Sequence, residues 1–260
     1  VPRKDPSCAS IAGGDKLDYY FHNHWFYSTN RPQMKILDLG CRTGSAVAAW
    51  AAHRHTIVGV DWEDHGQQII GDYTKQETWD IIDNVTPIWQ DEIDPYDFIW
   101  FSPDCSIFSL MNMRWERNFN ENFEPISPRA IKEVEGIKFV LDRIRERAPR
   151  LGWIMENPRA LMRKMDFVKD LHRATVSYCQ YGDDRMKPTD LFGNIPMYFI
   201  PKVCRNGRSC HLNGSRGSQS GTQGMEKTEA GIIPYQLSFE IMKAAIVSEG
   251  KTIPTLGDFV

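Results

Sequence analysis

Residues 35–61 read KILDLGCRTGSAVAAWAAHRHTIVGVD, and their pattern decides the fold. Lys35-Ile36-Leu37-Asp38-Leu39 has the make-up of a short buried strand. Gly40, Gly44 and Ser45 break it, the alanine-rich run 46–52 reads as a helix, and Thr56-Ile57-Val58-Gly59-Val60 reads as a second strand ending at Asp61. Strand, glycine turn, helix and strand in so short a span make a βαβ unit. Its strands lie parallel, because the helix carries the chain back to the starting end.

Working outward, residues 68–70, 98–101 and 152–155 are further strand candidates, each stopped by polar or turn residues. Between the last two lies a helix that Ser127 caps, Pro128 opens and Pro149 stops. Its apolar stripe is Ile131, Val134, Ile137, Leu141 and Ile144. Alternating strands and helices predict an α/β fold, a Rossmann-like open and mostly parallel sheet with helices on both faces. From about residue 191 the texture turns loop-rich, with Gly207, Gly214, Gly217, Gly221 and Gly224 among scattered arginines. Helical periodicity returns over 235–248. The expected organisation is an amino-terminal extension (1–34), a main domain (35–190), a small loop-rich insert (191–231) and a carboxy-terminal helix returning to the main domain (232–260).

Composition bounds the function. With 31 Lys and Arg against 34 Asp and Glu, the 260-residue chain carries a net charge of −3, which excludes a globally basic nucleic-acid coat. Residues 61–104 hold twelve acidic residues against Lys75 alone, whereas 201–231 are net basic, so contact with a polyanion must be local. Six scattered cysteines do not make a disulfide scaffold, and a reducing, cytoplasmic setting is expected. No apolar run is long enough for a membrane span and no charged-then-apolar leader opens the sequence. No protein partner is evident, and a monomer is expected.

In open parallel sheets, ligands bind beyond the carboxyl ends of the strands, so the polar residues there are the candidates. The turn from Asp38 through Leu39, Gly40, Cys41, Arg42, Thr43 and Gly44 to Ser45 needs glycines for backbone to approach a ligand. Asp61, followed by Trp62, is placed to hold ribose hydroxyls. The spacing G-x-x-x-G is not the dinucleotide pattern, so a nucleoside cofactor other than NAD is expected. Asp72, followed by Tyr73, is either an acceptor for an adenine amine or a surface turn. Cys105, just past a strand in Ser102-Pro103-Asp104-Cys105-Ser106-Ile107-Phe108-Ser109, is a candidate nucleophile. Glu156-Asn157-Pro158 follows the next strand, and a thiol and a carboxyl group on one rim form a pair that packing does not require. Arg185 and Lys187, after Tyr181-Gly182, can project together from an extended segment or belong to a solvated loop.

With these residues in place, the chain resembles the DNA (cytosine-5)-methyltransferase family, in particular its compact phage and prophage versions. The resemblance rests on the loop 38–45, Asp61, Asp72, Cys105 followed by Phe108-Ser109, Glu156-Asn157-Pro158, and Tyr181-Gly182 with Arg185 and Lys187. It implies S-adenosylmethionine as cofactor, held by Asp38, Leu39, Gly40, Cys41, Thr43, Gly44, Ser45, Asp61, Trp62, Asp72, Tyr73, Ser102 and Pro103. It implies Cys105 as the nucleophile that adds to carbon 6 of a flipped cytosine, with Glu156, Asn157 and either Arg185 or Lys187 around the base. Residues 191–231 occupy the place of the family's target-recognition region, where Arg205, Arg208 and Arg216, with Ser109, would contact DNA. A phage-encoded member would work in the host cytoplasm.

The chain departs from the family pattern at Asp104 and Ser106, which flank the cysteine where Pro and Gln are usual, and at Arg42, where Gly is usual. A carboxylate beside a nucleophilic thiol should raise its pKa. Cys204, Cys210 and His211 hint at zinc, but their spacing is not a standard knuckle and no fourth ligand is evident, so no metal is expected. A non-catalytic nucleic-acid-binding relative, the same chemistry on RNA, and a non-methyl donor derived from S-adenosylmethionine are the alternatives.

Overall fold

The computed structural model describes residues 33–84, 96–109, 115–147, 149–212 and 225–249. The alternation of apolar residues along β1 (Lys35–Leu39) already requires two covering layers. Leu37 and Leu39 enter one core, Ile36 enters the other, and all three are fully buried. β2 (Thr56–Asp61), β3 (Ile69–Ile70), β4 (Phe98–Phe101), β5 (Trp153–Pro158), β6 (Arg173–Ser177) and β7 (Pro188–Asn194) join β1 in one seven-stranded sheet, ordered β3-β2-β1-β4-β5-β7-β6. Every pair from β3 to β5 is parallel, and β7 runs antiparallel to both its neighbours. This is a mixed α/β fold with flanking helices.

The helices cover both faces. Ala49 and Trp50 of α1 (Ala48–Ala52) pack on the Ile36, Phe98 and Trp100 side. Trp79 and Ile82 of α2 (Gln76–Asn84) and Val134, Ile137, Leu141 and Ile144 of α3 (Pro128–Arg147) pack on the Leu37, Ile99 and Phe101 side. The chain returns through the short α4 (Lys227–Gly231) to α5 (Tyr235–Glu249), whose Leu237, Ile241 and Ala245 complete the first of these layers. Ser238 accepts a hydrogen bond from the Ala49 amide at 3.3 Å, tying the returning helix to α1. Among the described residues no helix is long and apolar enough to cross a membrane.

Several expectations shift. The alanine run is α-helical only from Ala48, because Ser45–Val47 form a tighter 3-10 turn leaving the glycine loop. Ser127 does cap α3, its hydroxyl accepting from the Ala130 amide at 3.1 Å, but Ile131 is 38% exposed and Ala130 takes its place in the core. Glu156-Asn157-Pro158 lie within β5 rather than beyond it, because β7 pairs with them: Glu156 faces Leu191, Asn157 faces Asp190 and Pro158 faces Thr189. β6 and β7 are strands that apolar patterning did not reveal. β7 also runs through the expected boundary at 190/191, with Leu191 and Phe192 buried in the core, so the loop-rich stretch begins after Asn194. Residues 1–32, with most of the amino-terminal extension, lie outside the described residues, as do Arg216 and the tail after Glu249.

Candidate active site

Register brings the candidate residues to one edge. Leu39 pairs with Phe101 and Phe101 with Met155, so Gly40, Ser102 and Glu156 stand side by side where β1 and β4 end and β5 runs on. β7, being antiparallel, starts at this same edge, which delivers Lys187 just before Pro188. Ser177, the last residue of β6, pairs with Pro188 there. From β1 the chain builds outward through β2 and β3, then crosses to β4 on the other side. The edge between β1 and β4 is therefore the switch point at which an open α/β sheet forms a crevice.

The glycine loop is built around Asp61. Its Oδ2 accepts from the Arg42 amide at 3.0 Å and its Oδ1 from the Glu63 amide at 3.3 Å, so one carboxylate braces the turns after both β1 and β2. Gly40 has φ +74°, and a Cβ there would collide with the Ser102 carbonyl oxygen, so only glycine lets β1 turn this close to β4. The Cβ position of Gly44, at φ +65°, faces open space, so that face of the loop is accessible. Thr43 donates to the Ser45 hydroxyl at 2.9 Å, and that hydroxyl accepts from the Ile233 amide at 3.0 Å. Buried beneath the loop, both carboxyl oxygens of Asp38 have no partner among the described residues. Burial, helped by the charge of Asp61, pushes the Asp38 pKa up to about 8. Burial and the same two carboxylates push the Cys41 thiol up to about 12, leaving it inert.

Around the loop, Leu39 and Pro103 are buried, while Trp62 presents an indole that is 65% exposed. Asp72 uses Oδ1 to accept from the Thr74 amide (3.0 Å) and hydroxyl (2.6 Å), leaving Oδ2 uncommitted in these bonds. Tyr73 packs edge-on against Phe101, their ring centroids 5.6 Å apart, and the Ser102 hydroxyl accepts from the Trp100 indole at 3.0 Å.

Cys105 is half-buried on the turn after β4. Asp104 is exposed, and Ser106 caps it through both amide (2.9 Å) and hydroxyl (2.8 Å). Arg129 of α3 pairs with it at 3.3 Å and also donates to the Ser106 hydroxyl. The thiol pKa is raised mainly by burial and then by Glu156; Lys187 opposes them, and Asp104 adds less than either charge. The feared neighbour is thus a minor influence, its charge spent on Ser106 and Arg129.

Glu156 and Lys187 share the thiol's surroundings. Burial raises Glu156, opposed by Lys187 and by the Tyr178 hydroxyl, which donates to Oε1 at 3.1 Å. Burial lowers Lys187, opposed by Glu156 and Cys105. Its Nζ sits 4.6 Å from the Tyr178 ring centroid and donates to the Ala230 carbonyl at 2.8 Å. Arg185 is committed elsewhere: it ion-pairs with Asp183 and donates to the carbonyls of Glu229 (2.9 Å) and Ile232 (3.0 Å). Asn157, buried next to Glu156, has an amide with no partner among the described residues. Lys187 (φ +21°) and Arg42 (φ +36°) hold backbone conformations that cost roughly 1–3 kcal/mol each. Both lie at this edge.

Other expected contacts are more distant in the fold. Ser109 is half-buried at the end of the Cys105 turn, and Arg205 and Arg208 are exposed on the loop after β7. Tyr178 and Arg129 escaped the sequence reading. Tyr178 is marked only by following β6, a strand that patterning missed, and Arg129 only by its distance along α3 from the start of the helix. The structure also adds Cys179 to the group formed by Cys204, Cys210 and His211.

No protein-family model matches the chain. No curated protein matches it. Among solved structures it is similar to the Dnmt2 methyltransferase of S. pombe (TM-score 0.40, 10% identity, 63% of this chain and 50% of that one). It is also similar to the methyltransferase EhMeth of Entamoeba histolytica (TM-score 0.40, 8% identity, 71% and 58%). A third similarity is to the methyltransferase subunit of a type I restriction-modification system from Streptococcus thermophilus (TM-score 0.32, 10% identity, 73% and 43%). The chain spans about half the length of these structures.

Proposed function

We propose that the chain transfers a methyl group from S-adenosylmethionine to carbon 5 of cytosine in DNA, with Cys105 as covalent nucleophile. The observation that carries this reading is the meeting of Cys105, Glu156 and Lys187 at the sheet edge, where Lys187 acts on both of the others and Glu156 acts on the thiol, beside an open glycine loop. Packing alone does not call for a thiol, a carboxyl group and an amine in one shielded place.

The residues at the loop fit the donor. Asp38 offers to a cationic amine two buried oxygens that have no partner among the described residues. Asp61 retains lone pairs for ribose hydroxyls, Asp72 has Oδ2 for an adenine amine, and the exposed Trp62 ring is a surface for a purine to stack on. When bound, S-adenosylmethionine would supply an electrophilic methyl group to the activated carbon 5, its sulfur keeping the electron pair of the broken bond and leaving as a neutral thioether.

Carbon 5 of cytosine is a weak nucleophile, and Cys105 activates it. Its thiolate bonds to carbon 6 and pushes the carbon 5–carbon 6 electron pair toward carbon 5. Burial keeps Glu156 protonated at higher pH than an ordinary carboxyl group, so it can donate to the ring nitrogen as negative charge builds there. Lys187 holds the base's carbonyl oxygen, and its charge favours the Cys105 thiolate. After methylation, carbon 5 loses its proton to water. That electron pair rebuilds the double bond and expels the Cys105 thiolate, and the proton shared with the ring nitrogen returns to Glu156. The base must leave the helical stack to reach this edge. Arg205 and Arg208, on the loop after β7, would meet phosphate or guanine.

The test is nucleoside mass spectrometry of host DNA and RNA after expression of the wild type and Cys105→Ala. A 5-methylcytosine peak in DNA that vanishes in Cys105→Ala supports the reading. The same peak in RNA changes the polymer. A Cys105-dependent product of another mass changes the donor. No new nucleoside from folded protein removes the enzymatic reading.

A further inference from the structure

Apart from the group of Cys105, Glu156 and Lys187, four side chains from two segments converge on one point. Cys179 belongs to the 3-10 turn Tyr178–Tyr181 that follows β6, and Cys204, Cys210 and His211 belong to the loop after β7. Their ligand atoms all lie within 4.8 Å of one another. The Sγ atoms of Cys204 and Cys210 are 3.4 Å apart, and those of Cys210 and Cys179 are 3.9 Å apart. His211 Nδ1 lies 3.8 Å from the first of these sulfurs and 3.5 Å from the second.

The four shorter separations, 3.4 to 3.9 Å, lie close to the edges of a tetrahedron around zinc. Zinc–sulfur bonds of about 2.3 Å and zinc–nitrogen bonds of about 2.0–2.1 Å place two sulfurs about 3.8 Å apart and a sulfur and a nitrogen about 3.6 Å apart. The chemistry agrees: three thiols and one imidazole are a soft, nitrogen-and-sulfur donor set that fills a four-coordinate structural site and leaves no open position. Cys179 and His211 are buried, and His211 turns Nδ1 toward the sulfurs.

We propose that Cys179, Cys204, Cys210 and His211 bind one structural zinc ion. The site goes beyond the catalytic reading and does not depend on it. Binding replaces three thiol protons with three zinc–sulfur bonds and needs no oxidant. Its place in the fold gives it a purpose. Cys179 follows Tyr178, which holds Glu156, while the other three ligands sit on the loop that carries Arg205 and Arg208. The ion therefore clamps that loop to the sheet edge. Hydrogen bonds on either side follow the same path: the Cys204 amide donates to the Ser177 hydroxyl at 2.9 Å and the Leu212 amide to the Asp184 carbonyl at 2.8 Å.

The test is the metal content of the full chain, purified in reducing buffer without chelator and measured by plasma mass spectrometry. About one zinc per chain is expected. Cys179→Ser and Cys210→Ser should lower this to about a tenth or less, whereas His211→Cys and the distant Cys105→Ser should keep it. Cobalt supplied in place of zinc to the wild type reads the site without any substitution. Intense visible absorption from a tetrahedral ion with thiolate charge transfer is the expected spectrum. Chain that stays metal-free after zinc is added, zinc content indifferent to Cys179→Ser, an octahedral cobalt spectrum, or a Cys204–Cys210 disulfide in place of metal would each overturn the proposal.

Discussion

Lys187 and Arg185 stand two positions apart and answer to different surroundings. Lys187 faces Glu156 and Cys105, whereas Arg185 spends its guanidinium on Asp183 and two carbonyls. Lys187→Met is therefore expected to lower single-turnover methylation by about a hundredfold or more while the melting temperature stays near that of the wild type. Arg185→Met should do the reverse, lowering stability by about 2–3 kcal/mol through the acceptors it strands. Thermal unfolding and turnover measured on both variants separate the two roles. Asp38 gives a second prediction, in pH. Its folded pKa of about 8 lies above its ordinary 3.8, so between those values the folded state keeps a proton that the unfolded state loses, and stability falls as pH rises. Asp38→Asn should raise the melting temperature at pH 8 by about 3 °C or more. That gain should shrink toward pH 4, and calorimetry should show weaker cofactor binding in the same variant. In the wild type, binding of a cationic amine beside Asp38 should release a proton, and affinity should rise as pH climbs toward 8.

β1, β2 and α3 were legible in the sequence because their burial follows a simple rule: apolar residues grouped as the element requires, closed by Gly40, Asp61 and Pro149 respectively. β6 and β7 obey no such rule. Arg173-Ala-Thr-Val-Ser and Pro188-Thr-Asp-Leu-Phe-Gly-Asn mix charge with apolar residues, and β7 buries Asp190 in the sheet. That carboxylate is tolerable because Arg163, from the 3-10 turn Leu161–Lys164, grips both its oxygens at 2.6 and 2.9 Å and Thr175 of β6 donates to it at 2.7 Å. No local pattern announces a partner so far along the chain. The same blindness hid Tyr178 and Cys179, which follow β6, although Cys105, Glu156 and Lys187 could each be picked out from their own neighbours. Arg163→Met should cost roughly 3–5 kcal/mol, because it leaves a buried charge without its counterion. The double variant Arg163→Met with Asp190→Asn should recover part of that loss in chemical denaturation, and equal losses in both would argue against the ion pair.

The whole molecule is mildly acidic, and the proposed DNA contact would draw on Arg205, Arg208 and Arg216, since Lys202 is paired with Glu240 at 2.6 Å. A contact with about three phosphates gives a slope of about −2.7 in log affinity against log salt. Fluorescence anisotropy with a cytosine-containing duplex measures it, and a slope near zero would place the nucleic acid elsewhere. The antiparallel course of β7 has one more consequence, in the timing of synthesis. The ribosome delivers Cys105 long before Glu156, and Lys187 last of the three, because the strand that sets its position is sixth along the sheet yet seventh along the chain. A nascent chain that has not yet paired β7 against β5 carries a thiol with no neighbouring ammonium to favour its ionisation. It lacks the carboxyl group and the lysine of the proposed site while it emerges, and so cannot yet act on a base. A chain that terminates before residue 187 is born without activity.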